Sequence, residues 1–513
     1  MFFMMISTLF HGHLSMKILD AKVFYSIFTH IILFPEDLGH YRQKLSIKAQ
    51  EMTNNEKRPV RIGSGSGFWG DGMDPAVELL KGGKLDYLCF DFLAELTMAL
   101  LQRQVQKKPE LGYVPDAVQF MKAMMPMARE TGTKLISNGG GVNVRAAAER
   151  MRSDATAQGL KGLRVGMIEG DNLLGRLGQI RADGVPLLHM ETGNDGFDAI
   201  REKVVCANVY TDASGISEAL EKGADVVVAG RVSDNALYVG PAMHHFGWTY
   251  DAAHVDRIAC AIALGHIVEC ASACTGGMSS RFAEMPNMGR VGFPYFAMQA
   301  DGTAEITKLP GTGGRVDQFT VKEHIVYEIA DPRRYLMPDG VADFTSLCLK
   351  ESGPDRVTIS GVRGLPPPDT LKLVIGYEDG WIGECMAFFP WPGAFDRAEK
   401  AKQTMLERFE RMNLKADSIH FDYIGLNMLH GPGAPAIDRD KANAMAEVGL
   451  RCAVRTRTAD EADKVRRAGS NLWIMGPGGT SFGTPIKPRP VVSLWPTLIP
   501  RHYVKQTVEV LEA

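Results

Sequence analysis

The sequence predicts an α/β fold: a parallel β-sheet flanked by helices, followed by a smaller α+β domain with an antiparallel sheet. Between residues 60 and 231, short apolar segments that end in Gly, Asp or Asn alternate with helical segments, as in a parallel sheet. From about Pro294, the strand-like segments are longer and alternate between polar and apolar residues. That alternation indicates an antiparallel sheet with one solvated face.

These patterns divide the chain into four segments. Residues 1–58 are rich in Met, Phe, Ile and His and are predicted to be a poorly ordered N-terminal extension. Residues 59–290 are predicted to form the parallel-sheet domain and residues 291–484 the α+β domain. The proline-rich residues 485–513 are predicted to form an extended C-terminal strap.

Within the first domain, most of the apolar runs end in polar or glycine residues, and the first helix is capped by Asp74, has Pro75 at its first position and stops at Gly82-Gly83. The predicted strands are Val60–Gly63, Leu85–Phe90, Lys134–Ser137, Leu163–Ile168, Cys206–Tyr210 and Asp225–Ala229. The predicted helices between them run from Asp74 to Lys81, Leu93 to Gln106, Asp116 to Glu130, Asn143 to Ala157 and Ile216 to Lys222.

The second domain combines hairpin-like strands with amphipathic helices. The predicted strands are Arg356–Val362, Leu371–Tyr377, Ile382–Phe389, Ile419–Leu426, Leu450–Arg455 and Leu472–Met475. The predicted helices are Phe395–Asn413 and Ala459–Ala468.

Composition excludes several classes of partner. The chain has 57 basic and 60 acidic residues and no long Lys/Arg run, so neither nucleic acid nor an anionic membrane is an expected partner. The longest apolar run, Val23 to Phe34, is too short to span a bilayer. The eight cysteines form no CxxC pair, which is typical of a reduced, cytoplasmic protein. No metal and no cofactor are predicted, and metal ligation by His266 and Glu269 is an alternative that lacks an obvious third ligand.

Polar and glycine residues follow almost every predicted parallel strand, where ligands of open sheets bind. The candidate catalytic carboxylates in these loops are Asp91, Glu95 and Asp171, and the candidate substrate-binding residues are Gly65, Gly67, Asn138, Gly140, Asn172, Arg231 and Asp234. The alternative is that strand-to-helix turns require Gly, Asp and Asn for backbone reasons alone.

The first of these loops, Gly63-Ser-Gly-Ser-Gly67, resembles a phosphate cradle. It lacks the Lys-Ser/Thr of a Walker A loop, and its glycine spacing departs from GxGxxG. Dinucleotide binding is therefore disfavoured, while binding of another anion stays open.

The predicted helix from His254 to Ser272 carries the most distinctive group. Its apolar stripe continues into His266, Glu269 and Cys270, which can share one face because they are three and four residues apart. This arrangement suits His266 as acid/base, Glu269 as its orienting or proton-transferring partner and Cys270 as a nucleophile. The alternative is a buried cysteine beside a core histidine hydrogen-bonded to Glu269.

Two further Gly-rich segments are candidate substrate-binding loops. Thr275 and Gly276 directly follow the His266 helix, and Gly313 and Gly314 precede another predicted helix. The N–H groups of the second segment are suited to a carboxylate or phosphate, and the alternative for it is a tight domain-joining turn.

Several blocks resemble, in order, those of the acyclic terpene utilisation (AtuA) family. They are Phe68-Trp-Gly-Asp71, Asp91-Phe-Leu-Ala-Glu-Leu-Thr-Met98, Asn138-Gly-Gly-Gly-Val-Asn143, Glu169-Gly-Asp-Asn-Leu-Leu174, the segment from Glu218 to Arg231, and Gly265-His-Ile-Val-Glu-Cys270. The resemblance covers about residues 60–500.

The resemblance implies a catabolic enzyme acting on branched or acyclic terpenoid carboxylates or their CoA thioesters, by lyase, hydratase or hydrolase chemistry. The expected partner is therefore a small-molecule carboxylate or acyl-CoA, and a homo-oligomer is expected. Some longer relatives carry a ferredoxin-like C-terminal domain. The alternative function is accordingly a non-catalytic subunit or binding protein that requires a partner with that domain.

Overall fold

A computed structural model describes residues 58–483 and 486–513. The predicted extension over residues 1–58 lies outside this range except for its last residue. The helices and strands belong to one compact unit, Val60–Met298 together with Gly302–Ala513.

The helices are α1 (Met73–Gly82), α2 (Glu95–Lys107), α3 (Pro115–Thr131), α4 (Val144–Ala157), α5 (Leu177–Ala182), α6 (Phe197–Ile200), α7 (Ser214–Glu221), α8 (Ala236–Phe246), α9 (Val255–Val268), α10 (Gln318–Ile325), α11 (Ala394–Arg411), α12 (Arg439–Ala444) and α13 (Ala459–Met475). The strands are β1 (Val60–Ser66), β2 (Tyr87–Phe90), β3 (Lys134–Ser137), β4 (Arg164–Glu169), β5 (Val204–Val209), β6 (Val226–Ala229), β7 (Pro294–Met298), β8 (Ala304–Lys308), β9 (Tyr335–Met337), β10 (Gly340–Asp343), β11 (Cys348–Gly353), β12 (Arg356–Ser360), β13 (Arg363–Leu365), β14 (Thr370–Pro390), β15 (Ser418–Ile424), β16 (Glu447–Thr456), β17 (Ser481–Phe482), β18 (Arg489–Pro500) and β19 (Thr507–Glu512).

The largest sheet is mixed rather than purely parallel. Its order is β11-β12-β8-β7-β1-β2-β3-β6-β4-β19. The central strands β1, β2, β3, β6 and β4 run parallel, as their continuous apolar runs predict. Antiparallel strands extend both edges, with β7, β8, β12 and β11 on one side and β19 on the other.

The strand pairing crosses the predicted domain boundary at residue 290, because β7, β8, β11 and β12 continue the first sheet. The predicted strap over residues 485–513 contains two strands, of which β19 closes an edge of the same sheet. The division into folding domains stays a prediction.

The second sheet is antiparallel and has the order β15-β16-β14-β17, with β18 and β5 also pairing with β14. The single 21-residue strand β14 replaces two predicted strands, and the expected break survives as a register shift between Glu378 and Trp381. The predicted strand Cys206–Tyr210 belongs here as β5, where Val209 lies opposite Leu373, and it is not part of the parallel sheet.

Two helices differ from the sequence prediction. The helix α13 continues through the segment Leu472–Met475, which was predicted as a strand, because Val465, Ala468 and Leu472 keep one buried face at helical spacing. The helix α8 was not predicted. It is buried almost all round and contains Pro241, so it lacks an amphipathic stripe.

The apolar cores lie against the two main sheets. One core packs α1, α2, α3 and α4 against the parallel strands, and another packs α11 and α13 against β14 and β16. Within the described part of the chain, no helix has the length and apolar character needed to cross a membrane.

Candidate active site

The carboxyl ends of the central strands bring four polar residues to one edge of the sheet. Asp91 follows β2, Asn138 follows β3, Asp171 follows β4 and Arg231 follows β6. Asn138 Nδ2 donates to Asp91 Oδ1 at 2.7 Å, and the backbone N–H of Arg231 donates to Asp171 Oδ2 at 3.0 Å. These contacts link neighbouring strand ends, which is the usual ligand position of such a sheet.

Three carboxyl groups converge at this edge. Oxygens of Asp91, Asp234 and Glu269 all lie within 4.8 Å of one another. Asp91 and Glu269 are each 6% exposed, whereas the Asp234 side chain is 32% exposed. The sheet contributes Asp91 and Asp234, and the C-terminal end of α9 contributes Glu269.

Burial and mutual repulsion raise the pKa of two of these carboxyl groups. Burial, followed by the charge of Asp234, raises the pKa of Asp91 to about 8 despite the opposing effects of Arg231 and Asn138. Burial and then the charges of Asp234 and Asp91 raise the pKa of Glu269 well above its usual value. The buried Oε2 of Glu269 has no hydrogen-bond partner within the described residues. Near neutral pH, this site therefore holds carboxylic acids that can exchange protons.

Arg231 is a fixed positive charge beside the carboxyl groups. Its side chain is 1% exposed and forms an ion pair with Asp234. Its Nη1 donates to the carbonyl of Leu93 at 2.6 Å, and its Nε donates to the carbonyl of Val232 at 2.9 Å. The guanidinium also lies 4.4 Å from the centre of the Tyr210 ring. These contacts hold the charge in one orientation.

Lys372 and Glu95 form an ion pair at the rim of the site, with side chains 33% and 35% exposed. Lys372 Nζ lies 5.3 Å from the centre of the Tyr210 ring, so this ring contacts two cations. Tyr210 follows β5, and Lys372 lies on β14, so the second sheet contributes to the site.

Sequence reasoning missed both Tyr210 and Lys372. Tyr210 ends a predicted strand, and the rule applied to the other strand ends could have identified it. Lys372 lies within an alternating strand, where a lysine is usually a solvated side chain, so no sequence pattern marked it.

His266 lies one helical turn before Glu269, and its imidazole contacts α10 rather than the carboxyl cluster. It is 1% exposed, and its Nε2 contacts the carbonyls of His324 and Ile325 at 3.1 and 3.3 Å. Because carbonyls only accept, Nε2 carries the proton, and Nδ1 accepts from the Tyr335 hydroxyl at 3.3 Å. Burial lowers the pKa of His266 to about 4. The imidazole is therefore neutral at physiological pH.

Two glycines of the first loop are closely packed, Gly67 against Cys270 and Gly65 against Phe90. Burial and the neighbouring Glu269 raise the pKa of the Cys270 thiol, so it is protonated. A Cβ on Gly67 would lie 2.7 Å from the Cys270 carbonyl carbon, and one on Gly65 would lie 2.4 Å from the Phe90 ring. These glycines are thus needed for packing, whether or not they also contact a ligand.

Other strand-end residues support the site without facing its centre. Asp171 also accepts from Asn208 Nδ2 at 2.7 Å. Asn172 is exposed, and its Oδ1 accepts from the backbone N–H of Leu174. The backbone N–H of Gly140 donates to the carbonyl of Ala229, which ties the end of β3 to the end of β6.

The remaining candidates form a separate loop cluster around Thr275. The Thr275 hydroxyl donates to the carbonyl of Gly292 at 2.7 Å. The N–H groups of Gly313 and Gly314 donate to the carbonyls of Arg290 and Pro286. The N–H of Gly276 donates to the carbonyl of Ala273. These N–H groups already have partners, so the loops are not arranged as open anion cradles.

The oxygens of Asp91, Asp234 and Glu269 are also close enough together to surround a cation. Oxygen ligands suit Mg²⁺ and Ca²⁺. Carboxylate proximity alone does not establish a metal site, because protonation relieves the same repulsion.

Comparison with known proteins identifies the family. Residues 60–510 match the family model described as acyclic terpene utilisation family protein AtuA. The comparisons with curated proteins and with solved structures gave no match. The matched segment spans most of the chain and includes the carboxyl cluster and Arg231. The chain belongs to the acyclic terpene utilisation (AtuA) family.

Proposed function

We propose that this chain is a catabolic enzyme that transfers protons to and from branched, acyclic terpenoid carboxylates or their CoA thioesters. The observation that carries the proposal is the convergence of Asp91, Asp234 and Glu269 at the carboxyl end of the parallel strands. Membership of the AtuA family supports the terpenoid substrate class.

The carboxyl groups suit lyase or hydratase chemistry. Asp91, with a pKa of about 8, is present in both protonation states near neutral pH and can serve as acid or base. In a hydration, one carboxylate would take a proton from water while a neighbouring carboxylic acid gives a proton to the substrate carbon. Water would thereby add across a double bond, and the reverse steps would eliminate it. Hydrolysis of a thioester would need the same combination of one carboxylate and one carboxylic acid.

Arg231 supplies the electrostatic part of the proposal. A buried guanidinium stabilises negative charge that develops on a substrate carbonyl oxygen, because it is preorganised and poorly screened. Asp171 holds the backbone of Arg231, and Asn138 holds Asp91, so both are positioning residues.

The proposal gives His266 a supporting role. The neutral imidazole packs 3.8 Å from Glu269 Oε1, which limits where that carboxyl group can move. Burial and the neighbouring Glu269 raise the pKa of the Cys270 thiol, so the proposal assigns it no role as a nucleophile.

A solvent-exchange assay tests this function. The full chain is incubated in D₂O with 3,7-dimethylocta-2,6-dienoate or its CoA thioester, and mass spectrometry follows deuterium incorporation and water addition. We expect Asp91→Asn and Glu269→Gln to lower the rate about 100-fold or more, the usual contribution of an acid/base group. The control Asp440→Asn alters an exposed aspartate on α12 and should leave the rate unchanged.

Wild-type incorporation no faster than the protein-free background, with the acid and the thioester alike, would contradict catalysis by this chain. Binding of the same compounds without turnover would favour the alternative of a non-catalytic binding subunit.

A further inference from the structure

The rim of the site contains a cation whose counterion is easily replaced. Lys372 pairs with Glu95, and about one third of each side chain is exposed. Arg231, by contrast, is buried and held by Asp234 and by the carbonyls of Leu93 and Val232. An exposed ion pair contributes little free energy, so a ligand can separate Lys372 from Glu95 at small cost.

The position of Lys372 is fixed by the strand pairing. The backbone N–H of Tyr210 donates to the carbonyl of Lys372 at 2.9 Å, which places the lysine beside the Tyr210 ring. The ring contacts the Lys372 ammonium on the rim and the Arg231 guanidinium inside the site. Tyr210 therefore connects the two cations.

Charge balance favours an anionic ligand at the rim. Asp234 balances Arg231, and Glu95 balances Lys372, while Asp91 and Glu269 are held largely in their neutral forms. A ligand carboxylate that displaces Glu95 keeps this balance, because Glu95 then turns into water. A neutral ligand in the same place would leave Lys372 without a counterion.

We propose that Lys372 is the docking point for the substrate carboxylate, and that Glu95 occupies this place in the free protein. The internal carboxylate shows that such a group reaches the ammonium in this fold. The inference rests on the proposed function for the identity of the substrate, and it makes Lys372 a specificity-determining residue for the free acid.

Isothermal titration calorimetry on the full chain tests this docking point without turnover. The probes are 3,7-dimethyloct-6-enoate, its uncharged amide, and coenzyme A as a source of phosphate groups. We expect the wild type to bind the acid a few-fold more tightly than the amide, as an exposed ion pair allows. Lys372→Met should abolish this preference, and Lys372→Arg should retain most of it. Glu95→Gln should bind the acid a few-fold more tightly, because the internal competitor is lost.

The matched control is Lys350→Met, which removes an exposed lysine from the edge strand β11 and should bind as the wild type does. Thermal unfolding of each variant checks that it folds. Unchanged acid binding in a folded Lys372→Met variant, or no binding of the acid by the wild type, would overturn the proposed docking point. If Lys372→Met lost coenzyme A binding but kept acid binding, the result would overturn the carboxylate assignment in favour of phosphate.

The two proposals fail separately. Deuterium exchange that depends on Asp91 but not on Lys372 would leave the proposed function standing and remove the docking point. Acid binding that depends on Lys372, without any turnover, would retain the docking point and remove the catalytic function.

Discussion

His266 Nδ1 and Glu269 Oε1 lie 3.8 Å apart at the end of α9, too far for a hydrogen bond. The imidazole instead donates to the carbonyl oxygens of His324 and Ile325, at the C-terminal end of α10. Glu269 is thereby left to the carboxyl cluster with Asp91 and Asp234. The side chains share a helix face, as their spacing predicts, but they take part in different networks.

This separation predicts how His266 affects pH dependence. Burial lowers its folded pKa to about 4, below the unfolded value of about 6.5, so unfolding takes up a proton between these values. The stability associated with neutral His266 is therefore lost as pH falls from about 6.5 towards 4. We expect His266→Phe to reduce this loss in denaturant titrations, and His324, whose pKa is also lowered to about 4, contributes to the loss that remains. An unchanged pH slope would contradict the buried neutral imidazole.

The same geometry predicts a ranking of activities. Glu269→Gln removes a proton-transferring group, whereas His266→Phe removes only a neighbour of that group. We expect a loss of about 100-fold or more for the first and about tenfold or less for the second in the deuterium-exchange assay. The reverse ranking would restore His266 as the acid/base that the sequence suggested.

The raised pKa of Asp91 predicts a pH dependence of stability opposite to that of His266. Its folded pKa of about 8 lies above the unfolded value near 4, so the native state binds its proton more tightly. The resulting stability is present at low pH and is lost as pH rises through about 8. The variant Asp91→Asn should therefore gain stability relative to the wild type as pH rises from about 4 to about 8. Parallel stability curves for the two proteins over this range would rule out a raised pKa at Asp91.

The sequence located much of this cluster because parallel strands end at one edge of a sheet. That rule, together with the helical spacing of Glu269, identified Asp91, Asn138, Arg231 and Asp234 as neighbours. The same reasoning could not predict Lys372, since it reaches the site through the pairing of β14 with β5, which is a long-range contact.

The sequence predicted the fold to about the same extent as the site. Continuous apolar runs identified the parallel centre of the first sheet, but local patterns do not specify the antiparallel strands at its edges. The loop around Gly65 and Gly67 resembled an anion cradle because packing and ligand binding both select glycine where chains approach closely.

Asp339 provides a stability test away from the carboxyl cluster. Its Oδ1 accepts from the Tyr250 hydroxyl and from the backbone N–H of Ala213, while its buried Oδ2 has no hydrogen-bond partner among the described residues. Burial, followed by the charge of Asp212, raises the pKa of Asp339 to about 7. Stability from this group is therefore lost as pH rises from about 4 through 7. We expect the stability of Asp339→Asn, relative to that of the wild type, to be greater at about pH 8 than at about pH 5. The reverse order would contradict the prediction.

Gly230 provides a test of how Arg231 is positioned. A Cβ at Gly230 would lie 2.5 Å from Asp171 Oδ1, and Asp171 accepts the backbone N–H of Arg231. Gly230→Ala should therefore displace the Asp171 carboxylate, destabilise the protein by about 1–3 kcal/mol and lower turnover through the shifted guanidinium. Gly175→Ala is the matched control, because a Cβ there meets nothing within 4 Å. Chemical denaturation measures the first effect and the deuterium-exchange assay the second. A Gly230→Ala variant as stable and as active as Gly175→Ala would show that the site tolerates movement of Asp171, and the positioning role would be lost.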